Sequence, residues 1–241
     1  MIKTCPEHGD FEVRTLEMFG CFFESGCPEC EKIREEKEAE AERKSRERLY
    51  QENLVKRGIE EEYWEASLEK YRAENESEKQ AFEAARELEE GRIKKMLLLG
   101  SNGTGKTFLG CALAIKLHGI RTTMYELSAR IRSGYKSGES ELEILNGLLS
   151  YPLIVLDEVG RTKGSEAEKN WLSYLIDKAH TRHIRLLIIS NRHMAKTLPA
   201  AMKGEAIESF FDNDVISRLR QNSKIVEVKG RDRRAAAFTS V

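Results

Sequence analysis

Gly100-Ser101-Asn102-Gly103-Thr104-Gly105-Lys106-Thr107 sets two glycines, a lysine and a threonine at the spacing G-x-x-x-x-G-K-[ST], with a third glycine at 103. Glycines at these positions let backbone N–H groups turn inward around phosphate oxygens, and a helix starting in the loop adds its partial positive charge. Lys106 would reach the β- and γ-phosphates of ATP, or the β-phosphate of ADP, and the Thr107 hydroxyl would bind Mg²⁺. The flanks agree with a phosphate cradle: Lys95 to Leu99 reads as a strand before it, and Phe108 to Leu117 as an apolar helix after it.

Binding alone does not imply hydrolysis, so a second acidic element matters. Leu153-Ile154-Val155-Leu156-Asp157-Glu158 reads as a buried strand ending in two carboxylates. Asp157 would hold Mg²⁺, directly or through water, and Glu158 would polarise the attacking water as a general base. Another apolar run, Leu186 to Ile189, ends in Ser190-Asn191. Asn191 suits either an amide that senses the γ-phosphate or a turn-forming residue. Asp214 to Arg220 carries Arg218 and Arg220 on an expected helix. Such arginines serve either as surface ion-pair partners or as donors to a neighbouring subunit's γ-phosphate.

Four of the five cysteines lie in the first 30 residues. Cys5-Pro6-Glu7-His8 and Cys27-Pro28-Glu29-Cys30 are two x₂-spaced pairs, and together they offer a closed Cys₃His set of the kind that holds structural Zn²⁺. Cys21 is a spare thiol that could stand in for His8, although the paired spacing favours a buried thiol beside the site, while Cys111 falls on the apolar face of the P-loop helix and reads as core.

These residues need elements to hold them. The chain has 241 residues, 34% of them charged and 40% hydrophobic, and the two classes are segregated. Residues 1 to 30 read as a small knuckle, and Glu31 to about Arg57 as a charged, exposed helix. Residues 58 to 90 read as further helix, with Tyr63, Trp64, Leu68 and Tyr71 as its packing stripe. After Gly91, short apolar runs alternate with helical segments, which predicts an α/β fold with a parallel sheet flanked by helices. The expected strands are 95–99, 122–127, 152–157, 185–190 and 224–228. Domains are therefore expected at 1–57 and 58–241. A net charge of −1 excludes bulk electrostatic coating of nucleic acid. No run is apolar enough to span a membrane or act as a signal peptide, so a cytoplasmic location is expected.

Taken in order, the P-loop, Leu156-Asp157-Glu158-Val159-Gly160, the Ser190-Asn191 strand end, Val215-Ile216-Ser217-Arg218-Leu219 and Val228-Lys229-Gly230-Arg231-Asp232-Arg233-Arg234 resemble the AAA+ helicase loaders of the DnaC/DnaI type and the related IstB transposition helpers. The resemblance covers residues 58 to 234. It implies an AAA+ P-loop ATPase, weak until assembled, with ATP bound between protomers of a homo-oligomer. It also implies an N-terminal region that grips a hexameric replicative helicase, and an ATPase domain that contacts single-stranded DNA during replication initiation. Carried over by position, Arg218 becomes the arginine finger, with Arg220 its nearest competitor. Arg234 becomes the arginine that faces the nucleotide from the same subunit, with Arg231 and Arg233 as rivals. Leu127 to Tyr135, with Arg130, Arg132 and Lys136, falls where the family contacts single strands, although a solvated helix face would look the same. The Cys₃His head is similar to that of some phage and Gram-positive loaders, which implies helicase docking. Two other readings fit the same motifs: a transposition helper acting on duplex DNA, and a nucleotide-dependent scaffold with negligible hydrolysis.

Overall fold

The computed structural model describes residues 1–18, 21–161, 165–200, 202, 206–211 and 213–233, with the backbone only at 16–18, 21 and 23. The chain divides into two compact units, Met1–Asn53 and Leu54–Val241.

The first unit holds two antiparallel hairpins, β1 (Ile2–Cys5) with β2 (Gly9–Glu12) and β3 (Thr15–Met18) with β4 (Cys21–Glu24), and most of the helix α1 (Pro28–Lys56). Proline at the first helical position and glutamates at 29 and 31 suit a helix start, where N–H groups are unpaired and negative charge is favoured. The helix has no apolar stripe; Leu54 is its one buried residue among those described. Pairs one turn apart, such as Lys44 with Glu40 at 2.7 Å and Arg48 with Glu52 at 3.7 Å, support a helix that is polar on every side.

The second unit is built on a five-stranded parallel sheet of β5 (Lys95–Leu99), β6 (Ile120–Thr123), β7 (Leu153–Asp157), β8 (Arg185–Ile189) and β9 (Ser223–Glu227), in the spatial order β6-β7-β8-β5-β9. The three central strands are continuous apolar runs because both faces of the sheet are covered. On one face α2 (Glu76–Glu89) and α3 (Lys106–Lys116) pack on Met96, Leu98, Val155 and Leu187. On the other, α4 (Met124–Ser137), α5 (Glu141–Leu148), α6 (Glu166–Thr181) and α7 (Asn213–Arg220) cover Leu97, Leu99, Ile154, Leu156 and Ile188.

Two expectations need correcting. The strand expected at 122–127 is β6 at 120–123, and helix α4 begins at Met124. Thr123 and Glu126 form a reciprocal capping box, each side chain bonded to the other's backbone N–H, and this turns the chain from strand into helix. Losing the Thr123 hydroxyl would cost about 1 kcal/mol. The continuous helix expected over 58–90 is instead two short 3₁₀ turns, Glu61–Tyr63 and Leu68–Lys70, followed by α2, which is capped by Asn75. Tyr63, Trp64, Leu68 and Tyr71 do pack against the sheet's α2/α3 face, but from turns rather than from one helix.

Candidate nucleotide site and metal cluster

Strand β5 leads into the glycine loop and α3 leaves it, so the loop sits at the carboxyl ends of the strands. Gly103 has φ of +74°, and a Cβ there would collide with the Asp232 side chain, while its carbonyl accepts from the Arg233 N–H at 3.0 Å. A tight loop with a second segment lying on it admits only glycine. The Lys106 side chain is buried, and its ammonium donates to the carbonyls of Gly100 (2.8 Å) and Ser101 (2.6 Å) and to Thr104 Oγ1 (3.3 Å). The cation is thus held inside the loop, where a triphosphate would present charged oxygens.

A cleft of about 230 Å³ is lined by Asn102 through Phe108, Tyr63, Asp157, Glu158, Ile189, Asn191 and Arg233. Three strands therefore deliver their chemistry to one place: the loop after β5, the two acids at the end of β7 and the amide after β8. Ser190 Oγ donates to the Val159 carbonyl at 2.6 Å, and Arg192 Nε donates to the Gly160 carbonyl at 2.6 Å. The end of β8 thereby pins the loop that follows Glu158. Glu158 itself has φ of +55°, a conformation rare for a residue with a side chain, and its carboxylate meets Arg161.

Asp157 is almost fully buried, and its partner is one that motif reading missed. Arg121, on the neighbouring strand β6, donates to Asp157 Oδ2 from Nε at 3.1 Å and from Nη2 at 3.0 Å, and the Glu158 N–H donates to Oδ1 at 2.8 Å. Burial alone would lower the Arg121 pKa, but the Asp157 charge and its hydrogen bond more than offset it, and the pKa ends raised. No local string announces this pair, because the two residues are 36 positions apart and meet only through the β6–β7 register.

Arg233 lines the cleft wall. Its Nη2 donates to Glu78 Oε2 and to the Arg72 carbonyl, both at 2.7 Å, and its guanidinium lies over the Tyr71 ring at 5.4 Å. Arg231 pairs with Glu74 at 3.4 Å, and Arg234 lies outside the described residues. Arg218 does not line the cleft. It sits on α7, half-exposed, with Nη1 2.9 Å from Asp177 Oδ1 of α6. Its carbonyl accepts from the buried Lys95 ammonium at 2.6 Å, which also contacts His180 Nδ1 at 3.1 Å. On α4, Leu127 and Ile131 are buried, whereas Arg130, Arg132, Tyr135 and Lys136 are each exposed.

In the first unit Cys5, His8, Cys27 and Cys30 converge, with their ligand atoms all within 4.8 Å of one another. Cys5 Sγ lies 3.6 Å from His8 Nδ1 and 3.6 Å from Cys30 Sγ; His8 Nδ1 lies 3.7 Å from Cys27 Sγ and 3.3 Å from Cys30 Sγ. A tetrahedron of sulfurs about 2.3 Å from a central ion has edges of about 3.8 Å, so this donor set and spacing fit a four-coordinate metal. Cys5 closes β1, His8 sits in the β1–β2 turn, and Cys27 and Cys30 flank the start of α1, where unpaired N–H groups favour thiolates. The Glu7 amide is the largest influence holding the Cys5 thiol down to about 6, whereas Cys5 first, then burial and Cys27, push Cys30 up to about 12. Three crowded sulfurs cannot all ionise unaided, which is the cost a divalent cation removes. The side chain of Cys21, the spare thiol, lies outside the described residues; Cys111 is fully buried in the core.

The family profile described as IstB-like ATP binding protein matches residues 33–237. The replicative helicase loader DnaC of Escherichia coli (strain K12) is 28% identical over 165 residues, 65% of this chain and 67% of that protein. The uncharacterized protein YdaV of the same strain is 25% identical over 169 residues, 66% and 68% of the two chains. Among solved structures, the crystal structure of the DnaC helicase loader superposes with a TM-score of 0.59 at 22% identity, covering 70% of this chain and 100% of that one. The replication initiator DnaA bound to AMPPCP and single-stranded DNA gives 0.57 at 21%, covering 69% and 50%. The shared fold is the AAA+ sheet with its flanking helices, and the site it carries here has the acids and cradle of a nucleotide hydrolase that works with Mg²⁺. With the profile running through both the β5 loop and the β7 strand end, the chain belongs to the IstB-like ATP-binding family and is an AAA+ P-loop ATPase.

Proposed function

We propose that the chain is an ATP-dependent loader that binds a hexameric replicative helicase and delivers it onto single-stranded DNA in the cytoplasm during replication initiation. The observation that carries the proposal is the joining of a DnaC-like ATPase unit to a head with a closed Cys₃His set. In this reading the head holds structural zinc through Cys5, His8, Cys27 and Cys30 and forms the helicase-docking surface. Lys106 and the loop amides grip the triphosphate, Asn191 reads its γ-phosphate, and Glu158 takes a proton from the attacking water. Mg²⁺, held by Thr107 and Asp157, would neutralise charge on the phosphate oxygens. Arg218 acts on the site of a neighbouring protomer in a homo-oligomer. In the same subunit Arg233 lines the cleft wall, and it or its neighbour Arg234 faces the nucleotide. The exposed Arg130, Arg132, Tyr135 and Lys136 of α4 meet single-stranded DNA.

Mixing the protein with replicative helicase hexamers and sizing the product tests this. A stable complex in the presence of ATP is expected; no complex with any replicative helicase of the same cell or phage would end the proposal. The IstB-like profile favours a second reading, a transposition helper. Saturable ATP-dependent binding to duplex DNA in preference to single strands would select it.

A further inference from the structure

Arg121 is almost fully buried and lies against the segment Arg57–Glu60. That segment is fastened to the edge strand at both of its ends. The Arg121 N–H donates to the Arg57 carbonyl at 2.9 Å, and the Arg57 guanidinium reaches the Gly119 carbonyl at 2.7 Å as well as that of Ala114. Gly58 has φ of +70°, and a Cβ there would strike the Arg121 carbonyl, so close approach of the two backbones requires glycine. The remaining nitrogen of the fork, Nη1, donates to the Gly58 carbonyl at 3.2 Å and meets Glu60 Oε1 at 3.5 Å. One planar group therefore spans the strap at 57–60 and the acid at the end of β7.

A carboxylate offers about four acceptor positions. Arg121 takes the two on Oδ2 and the Glu158 amide takes one on Oδ1, so a single acceptor position remains, on Oδ1. We propose that Arg121 is a positioning residue: braced by the strap at 57–60, it saturates Asp157 Oδ2, fixes the carboxylate's rotation and leaves Oδ1 as the only oxygen offered to magnesium. The inference rests on the reading of Asp157 as the magnesium carboxylate. It gives Arg121 a role opposite to that of a competing cation. As a competitor it would weaken magnesium binding by charge; as a brace it strengthens it by orientation.

The two roles separate in the magnesium dependence of nucleotide binding, measured with a fluorescent ATP analogue on the full chain without reference to turnover. Arg121→Met should raise the Mg²⁺ concentration for half-maximal binding about tenfold, the scale seen when an outer residue orienting a metal ligand is lost. Analogue affinity in EDTA should stay as in wild type. Arg121→Lys, which keeps the charge but not the fork, should give a rise of about threefold and serves if the methionine variant melts too low to use. A residue with only a structural role would lower the melting temperature and leave the Mg²⁺ demand alone. Unchanged or reduced Mg²⁺ demand in a folded Arg121 variant overturns the inference, while absence of any Mg²⁺ effect in wild type overturns the reading of Asp157 itself.

Discussion

Arg161 Nη1 lies 2.8 Å from one carboxylate oxygen of Glu158 and 2.9 Å from the other, so the acid proposed to activate water is gripped by a cation three residues further along the chain. A guanidinium gripping both oxygens blocks the approach of water to the carboxylate. The pair is solvent-exposed on the arginine side and therefore weak. Arg161→Ala is expected to raise basal hydrolysis by about twofold to fivefold, within what an exposed pair can supply. Glu158→Gln is expected to lower single-turnover hydrolysis by about a hundredfold or more with ATP binding retained. Equal single-turnover rates for wild type and Glu158→Gln would remove Glu158 from the chemistry.

Asp177 holds Arg218 in the isolated chain. An arginine that serves a neighbouring site must leave such a partner when protomers assemble. Arg218→Ala should keep nucleotide affinity within about twofold and lower hydrolysis about a thousandfold, the range of a supplied arginine, only at concentrations where the oligomer forms. Asp177→Asn should leave assembled turnover at or above the wild-type level. A loss of the same size in monomeric Arg218→Ala would contradict action across the subunit boundary, and sedimentation run beside the hydrolysis assay provides the comparison.

The Cys₃His cluster predicts metal content. Purified protein should carry about one zinc per chain by elemental analysis. Cys30→Ser or Cys27→Ser should lose most of it and should lose helicase binding, while analogue binding at the P-loop stays within about twofold, since the two compact units carry separate sites. Full zinc occupancy in both variants would show that these cysteines are not the ligands.

His180 gives the pH dependence a sign. Its pKa is lowered, first by the Lys95 charge, then by burial and by Arg218. The unfolded chain, with histidine near its ordinary value of about 6.5, then binds more protons than the folded one in the window below 6.5. Stability should therefore fall as pH drops from about 6.5 toward the lowered folded value, because protonated His180 can no longer accept from Lys95. Melting curves from pH 7.5 to 5 should show this fall, and it should be flatter in His180→Gln. Identical slopes would remove His180 as the titrating group.

What the sequence made legible was local chemistry. The P-loop string and the strand ending in Asp157 and Glu158 carry their meaning in consecutive residues, and the buried strands β5, β7 and β8 stand out as apolar runs that need cover on both faces. The paired spacing of Cys5/His8 and Cys27/Cys30 pointed to the four side chains that do converge. Where two local signals compete, propensity or periodicity alone does not decide the element. Thr122 and Thr123 favour a strand, but the Thr123–Glu126 capping box was also present in the sequence and ends it. The aromatic spacing from Tyr63 to Tyr71 fits a helical period, yet these residues sit on turns. Arg121 was invisible for a different reason: its role exists only once two strands pair in register.

A covalently closed single-stranded circle tests most directly the proposed delivery of a helicase ring onto single-stranded DNA. A closed ring cannot thread a closed circle, so helicase captured on the circle was either opened or assembled around it. With ATP and this protein, replicative helicase should become bound to the circle and resist a chase by free linear competitor, and the Cys27→Ser or Cys30→Ser variant should not support it. Capture that is equally efficient without the protein, or no capture with it despite a stable helicase complex, would contradict the account.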